Sequence, residues 1–136
     1  MKKLFIIIFL TIILLLVGFT SNIKPTLKGT YQSDMVNNGY VVQIAIQPDN
    51  NSFVEYIDNR EVDRGTYEKT ENNVYKIKSD RQNFEITLNV KDSFEIIIDK
   101  INIEKPIKMK KIFDTPTYNS TKFDDVDKYK ALLNKN

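Results

Sequence analysis

The chain has 136 residues, of which 28% are charged and none is cysteine or histidine. Lys2 and Lys3 account for the formal net charge of +2, so the basic and acidic residues of the remainder balance at 18 each. This excludes the basic surface typical of nucleic-acid binding, any disulfide, the common zinc, copper and haem ligands, and the usual catalytic nucleophile pairs. We therefore predict a non-enzymatic protein with no metal, no cofactor and no nucleic-acid partner.

The first residues have the pattern of an export leader. Two lysines precede residues 4–17, which are apolar except for Thr11, and the small residue Gly18 follows. This pattern predicts an extracytoplasmic protein. The apolar run is long for a signal peptide and short for a membrane span. Two alternatives therefore stay open for residues 1–22, a cleaved signal peptide or a hydrophobic leader helix that anchors the protein in the cell membrane.

Leu16-Val17-Gly18-Phe19 resembles the lipobox of bacterial lipoproteins, with phenylalanine where those proteins carry the lipidated cysteine. The resemblance implies a lipoprotein-type leader that lacks its lipidation site, at the outer face of a Gram-positive-type membrane. About 115 residues follow, which suffices for one domain with a modest core. We assign residues 23–119 to a β-domain and residues 120–136 to a C-terminal helix packed on it.

Apolar and polar residues alternate along most of the chain after residue 28, which predicts short β-strands. The clearest alternation covers residues 84–91, and a turn over 91–93 is predicted to join it in a hairpin to a strand over 94–98. Further strands are predicted near 28–33, 41–47, 52–58, 64–70, 73–79 and 105–113, separated by turns rich in Asn and Asp. About eight short strands at this spacing predict an all-β fold, an antiparallel meander that closes, or nearly closes, into a small barrel.

One short segment occurs twice, as Lys28-Gly29-Thr30-Tyr31-Gln32 and as Arg64-Gly65-Thr66-Tyr67-Glu68. Glycine in a strand allows close backbone approach, and a tyrosine two residues later can plug a barrel end. The predicted barrel-closing residues are Gly29, Tyr31, Gly65 and Tyr67. The repeat indicates two related β-units or, alternatively, only the shared composition of strands and turns.

Gly29-Thr30-Tyr31 on the first strand, together with a helix after the last strand, resembles small bacterial lipocalin-like proteins, in which a Gly-x-Trp closes the barrel base. Here Tyr31 stands in the place of the tryptophan, and the resemblance implies a lipocalin-like barrel architecture. An apolar small molecule inside the barrel is one predicted ligand. The candidate ligand-binding residues are the apolar side chains of the predicted inward faces: Val42, Ile44, Ile46, Phe53, Phe84, Ile86, Leu88, Phe94, Ile96 and Ile98. Because these side chains are bulky, a packed interior is the alternative.

The tail predicts an amphipathic helix. Ser120 or Thr121 can cap it, and Asp124 and Asp125 suit its first turn. One stripe carries its apolar residues, namely Phe123, Val126, Tyr129, Leu132 and Leu133. We expect this stripe to pack on the barrel, and contact with a partner or a membrane surface is the alternative.

Two groups of charged residues are candidates for a surface role. The only basic cluster comprises Lys105, Lys108, Lys110 and Lys111. It either protects an edge strand from aggregation or contacts an anionic surface such as phospholipid or teichoic acid. Five carboxylates alternate with apolar residues and are expected to face water: Glu55, Asp58, Glu85, Glu95 and Asp99.

These observations predict an exported, envelope-associated binding protein. Its partner is expected to be an apolar small molecule or another envelope component, and only the leader is expected to hold it to a membrane. The alternative is a membrane-anchored protein-interaction, immunity or inhibitor factor with a solid core.

Overall fold

The computed structural model describes residues 24–37 and 39–135. The leader predicted over residues 1–22 lies outside these residues. The described elements are β1 (Gly29–Ser33), β2 (Val42–Gln47), β3 (Ser52–Ile57), β4 (Arg60–Glu71), β5 (Val74–Ser79), β6 (Asn83–Thr87), β7 (Ser93–Ile96), β8 (Ile107–Phe113), helix α1 (Val126–Lys130) and a 3₁₀ turn (Ala131–Leu133). None of the helices in this part of the chain has the length and apolar character needed to cross a membrane.

All eight strands belong to one antiparallel sheet in the order β6-β5-β4-β3-β2-β1-β8-β7. Strands β1 to β6 form a meander, and the β7–β8 hairpin returns to pair with β1. The sheet curls into a nearly closed barrel, which confirms the predicted all-β meander. The break in the ring lies between β6 and β7.

The tight turns depend on residues that accept a positive φ. Asp58 (φ 48°) and Asn59 (φ 68°) join β3 to β4 in two residues, as a type I′ hairpin turn requires. Asn73 (φ 66°) joins β4 to β5 in the same short manner. Asn and Asp tolerate this backbone region better than other non-glycine residues. The short turns keep successive strands adjacent, which produces the meander.

The predicted hairpin between residues 84–91 and 94–98 is wrong. β6 ends at Thr87, and Val90 lies exposed in the following turn. β6 and β7 stand at the two ends of the sheet order, so they form the borders of the barrel break rather than a paired hairpin.

The turn between β6 and β7 is closed largely by one side chain. Asn89 Oδ1 accepts hydrogen bonds from the N–H groups of Lys91 at 2.9 Å and Ser93 at 3.1 Å. β7 then pairs with β8, where Ile96 lies opposite Ile107. A turn was predicted over residues 91–93 and occurs over residues 90–92, but a turn does not determine which strand the emerging chain joins.

The C-terminal helix begins later than predicted. α1 starts after Asp125, and neither Ser120 nor Thr121 caps it. The chain just before it lies along the barrel instead, where the N–H of Asn119 donates to the Tyr56 hydroxyl at 3.2 Å. Residues 120 and 121 therefore belong to an extended connection.

One arginine fixes the position of the helix. The Nε and Nη2 atoms of Arg60 on β4 each donate to a carboxylate oxygen of Asp125 at 3.0 Å. Its guanidinium also lies 4.0 Å from the ring centre of Phe123 and 4.6 Å from that of Tyr129. Planar stacking with a double hydrogen bond is a geometry that suits arginine in particular. Leu133 follows α1 into the barrel core.

Candidate functional site

The residues predicted to bind a ligand inside the barrel form its core. All ten are buried except Phe84, which is half-buried. The void that several of them surround measures about 10 Å³. One water molecule needs about 10–15 Å³. Among the described residues the interior is thus packed, which favours the alternative of a solid core over a ligand cavity.

The two repeated glycines share one structural property. A Cβ atom on Gly29 would lie 2.2 Å from the carbonyl oxygen of Phe113, and one on Gly65 would lie 2.2 Å from that of Lys78. Gly29 also has a φ of +89°. Both positions therefore bring two backbones closer than any side chain permits. Gly65 does this within β4 rather than at the start of a strand.

The two repeated tyrosines have different surroundings. Tyr31 is fully buried, and its hydroxyl donates to Asp92 Oδ1 at 2.7 Å. Burial, followed by the hydrogen bond to Asp92, raises the pKa of Tyr31 far above its ordinary value. Tyr67 packs edge-on against Tyr75 with 6.1 Å between the ring centres. Tyr31 thus ties β1 to the β6–β7 turn, whereas Tyr67 only fills space.

One prediction placed the basic cluster on an edge strand, and this is wrong. β8 pairs with both β1 and β7, so it lies inside the sheet. Lys111 is mostly buried and contacts Asp92 at 2.6 Å, and Lys110 contacts Asp34 at 2.9 Å. Lys105 and Lys108 are exposed. Acidic neighbours therefore offset much of the charge that the sequence concentrates here.

The expectation that Glu55 faces water is wrong. Glu55 is fully buried, and its Oε1 atom has no hydrogen-bond partner among the described residues. Its side chain shares the inward face of β3 with Phe53 and Ile57, two residues away on either side. Period-two alternation contained this signal, which the acidic character of the residue obscured. Of the other four carboxylates, Asp58 is half-buried and the rest are exposed, as expected.

Glu55 belongs to a buried carboxylate cluster. Gln82 Nε2 donates to Glu55 Oε2 at 2.7 Å and to Asp63 Oδ2 at 2.8 Å. Ser79 Oγ donates to the same oxygen of Asp63 at 2.6 Å. The pKa of Glu55 is raised to about 7, mainly by burial and also by the charge of Asp63, against the lowering effect of the Gln82 hydrogen bond. Gln82 thus holds two carboxyl groups together.

A cleft of about 670 Å³ follows the break between β6 and β7. We call it the β6–β7 cleft, and it is lined by residues 82–85, residues 95–100, Pro106 and residues 132–135. Phe84, Ile96 and Leu133 supply apolar surface at its base. Gln82 lies in its wall and connects it to the buried carboxylate cluster behind. The cleft combines apolar side chains with the edges of β6 and β7, which are not hydrogen-bonded to each other.

A second hollow, of about 700 Å³, lies over β3, β4 and β5 near Gly65. Its rim is largely polar, and one rim residue, Arg64, forms an ion pair with Glu61. Each strand below it has a neighbour on both sides. It therefore offers no free backbone groups, unlike the β6–β7 cleft.

The described residues contain no group of three or more acidic side chains placed to hold a metal ion. Comparison of the chain with known protein families, with curated proteins and with solved structures finds no match. Inferences about function therefore depend on the geometry of the molecule itself.

Proposed function

We propose that this protein is an exported, non-enzymatic binding protein of the cell envelope that holds another envelope component in the β6–β7 cleft. The observation that carries the proposal is the contrast between an interior void of about 10 Å³ and a surface cleft of about 670 Å³. A solid barrel leaves no room for an apolar ligand inside it. Its surface, rather than its interior, is therefore the place where binding is expected.

The nature of the cleft favours a polypeptide as that component. The edges of β6 and β7 that border the break present backbone N–H and C=O groups that no strand of the described chain satisfies. Proteins often use such edges to bind segments of other chains. An interaction, immunity or inhibitor factor with a solid core would act in this way.

In this proposal, the leader over residues 1–22 directs the protein to the cell envelope. If the leader is retained, it anchors the barrel at the membrane, and if it is cleaved, the barrel is released. The mass of the mature protein distinguishes the two states. Recovery of the whole chain from the cytoplasm would contradict export.

Photo-crosslinking in the producing cell tests the proposed site. A benzoylphenylalanine is placed at Ile97, which lines the cleft and is 67% exposed, or at Met35, which lies on the β1–β2 loop and is 72% exposed. We expect a discrete adduct at Ile97 and none at Met35. The captured polypeptide, once identified and purified, should bind the unmodified protein and bind Ile97→Asp more weakly than Met35→Asp. Equal adducts at both positions, or none at Ile97, would refute the proposal.

A small molecule in the same cleft is the competing outcome, because cavities of about 300–1,000 Å³ commonly hold such ligands. An apolar fluorescent dye tests it. Saturable dye binding that Ile97→Asp abolishes, with no polypeptide adduct at Ile97, would replace the polypeptide by a small apolar ligand.

A further inference from the structure

One end of the barrel carries the start of the described chain. Residues 24–28 lead into β1, residues 90–92 form the turn before β7, and residues 111–114 comprise the end of β8 and the residue after it. Because β8 is antiparallel to both β1 and β7, its end lies beside the starts of those two strands. We call these three segments the leader end, because the predicted leader precedes them in the chain.

Polar contacts hold the three segments of the leader end together. The Tyr31 hydroxyl donates to Asp92 Oδ1 at 2.7 Å and accepts a hydrogen bond from the N–H of Lys28 at 3.5 Å. Lys111 on β8 contacts the other carboxylate oxygen of Asp92 at 2.6 Å. The turn over residues 90–92 is therefore fixed beside the start of β1 and the end of β8.

Exposed apolar side chains project from the leader end. Val90, in the turn, is 86% exposed, and Ile112 and Phe113, at the end of β8, are 40% and 55% exposed. Lys28 and Lys91 are exposed in the same segments. Lysine can keep its charge in water while its stem covers apolar surface. This combination of side chains suits the boundary between lipid and water.

The predicted leader is attached to this end of the barrel by a short connection. Leu27 is buried in the core, and its N–H donates to the Tyr75 hydroxyl at 3.3 Å, so the barrel holds the chain firmly at this point. Leu27 follows the last residue of the leader by five positions, and five residues reach at most about 18 Å. A leader retained in the membrane therefore keeps the leader end close to the lipid headgroups.

Charge contributes less to this surface than apolar area does. The leader end contains four lysines and two aspartates. Lys111 lies 2.6 Å from Asp92 and 3.8 Å from Asp114, so this lysine offsets both carboxylates in part. The small positive excess is compatible with anionic phospholipid, but the affinity of such a surface for a membrane also depends on the apolar area that it buries.

The neighbouring turns limit the extent of the apolar surface. The turns over residues 48–51 and 72–73 lie at the same end of the barrel, but in the described part of the chain they carry no exposed large apolar side chain. Asp49 and Glu71, in or beside these turns, are exposed instead. We therefore expect these two carboxylates to stay in water.

We propose that the leader end is a membrane-contact surface, which rests on the outer face of a phospholipid bilayer through Val90, Ile112 and Phe113. This proposal rests on the anchored form of the proposed function, in which the leader is retained. The β6–β7 cleft is lined by residues 82–85 and 95–100, which lie toward the opposite end of the barrel. The membrane contact would thus hold the barrel with its cleft directed away from the lipid and open to a partner.

Depth labelling of the full chain in vesicles tests the proposal. Because the chain has no cysteine, an introduced cysteine carries the only thiol label. A nitrobenzoxadiazole dye is attached at Lys91→Cys or, as a control at the opposite end, at Met35→Cys. The vesicles contain phosphatidylcholine, phosphatidylglycerol and a lipid with a nitroxide on its acyl chain. We expect the nitroxide to quench the dye at residue 91 and shift its emission to shorter wavelength, and to leave the dye at residue 35 unchanged.

Two matched double variants show whether the apolar side chains cause the contact. Val90→Asp/Phe113→Asp should remove most of the quenching at residue 91. Met35→Asp/Ile103→Asp replaces two apolar residues of similar exposure and should retain the quenching. These control positions lie at the opposite end, where Asn37 Nδ2 donates to Asn102 Oδ1 at 3.0 Å and joins their two loops.

Each result decides the matter. Quenching at residue 91 alone, removed by the leader-end variant alone, supports the proposal. Equal quenching at both labels, no quenching at residue 91, the same loss in both double variants, or a chain that does not associate with the vesicles overturns it. If Val90→Asp/Phe113→Asp fails to fold, Val90→Asp alone should weaken the quenching, and unchanged quenching overturns the proposal. A mature protein whose mass lacks the leader overturns it as well.

The binding function fails by a different result. An adduct at Ile97 without quenching at residue 91 refutes the membrane contact but leaves the binding function standing. Quenching at residue 91 with neither an adduct nor dye binding at Ile97 refutes the binding function but leaves the membrane contact standing.

Discussion

Replacement of Glu55 by glutamine tests whether the buried Glu55 carboxyl stays protonated in the folded protein near neutral pH. The Glu55 carboxyl is fully buried beside Asp63, and its Oε1 atom has no partner in the described part of the chain. Burial raises its pKa from the ordinary 4.5 to about 7. Glutamine has the same shape and can still accept the hydrogen bond from Gln82, but it does not ionise.

The sign and size of the effect follow from linkage. Because the pKa of Glu55 is higher in the folded state, the folded protein keeps a proton that the unfolded chain loses above pH 4.5. The stabilisation from this proton is complete below pH 4.5 and is lost as the pH rises through about 7. One pKa unit corresponds to about 1.4 kcal/mol, so ionisation of Glu55 costs about 3 kcal/mol at pH 8. The variant does not bear this cost.

Urea denaturation of the full chain from pH 4.5 to pH 8 measures the difference. Between pH 4.5 and pH 8, the free energy of unfolding of Glu55→Gln should rise by about 3 kcal/mol relative to that of the wild type. This difference corresponds to a shift of the urea midpoint by about 1–3 M. The surface control Glu85→Gln should follow the wild type at every pH. If the curves for Glu55→Gln and wild type stay parallel, the carboxyl does not titrate as its burial requires, and the reasoning fails.

Two further substitutions test how the barrel closes and how the tail docks. Gly29→Ala should lower the free energy of unfolding by about 3 kcal/mol. The control Gly39→Ala should lower it by about 1 kcal/mol, because Gly39 has a similar positive φ but open space around it. Equal losses in urea denaturation would show that close backbone approach at Gly29 is unimportant. Arg60→Gln should free the C-terminal helix, so that trypsin cleaves after the lysines of α1 several-fold faster than in the wild type. The control Arg64→Gln should leave the cleavage rate unchanged. Unchanged cleavage in Arg60→Gln would contradict the docking role of Arg60.

Local sequence patterns predicted the strands because buried and exposed residues alternate in several of them, most clearly in β8. Ile107 and Met109 are buried and Lys108 and Lys110 are exposed, as alternation requires. The Asp58-Asn59 turn was also readable, since few residues accept the backbone of a two-residue hairpin. These features depend only on neighbours within the chain.

The position of the cleft could not be predicted in this way. It exists because β8 pairs with β1, a contact between distant parts of the chain, which leaves β6 and β7 as the two borders. The turn over residues 91–93 gave no sign of this.

The buried carboxylate cluster was predictable in part. Alternation with Phe53 and Ile57 indicates that Glu55 points inward. The expectation that acidic residues face water pointed the other way and was wrong at this position. Its partners were not predictable, because Asp63 turns inward beside a β-bulge and Gln82 arrives from the turn before β6.

Carbodiimide labelling of carboxylates on intact cells, with a reagent that does not cross membranes, separates an occupied cleft from an empty one. Exposed carboxylates on the purified full chain provide the reference, with Asp49 and Glu71 as controls outside the cleft. If the protein is exported and holds a partner between β6 and β7, Glu85 and Glu95 should be labelled much less on cells than in the purified protein, while Asp49 and Glu71 are labelled equally in both. Equal labelling of all four carboxylates on cells, or of none of them, would contradict binding at the cleft in the envelope.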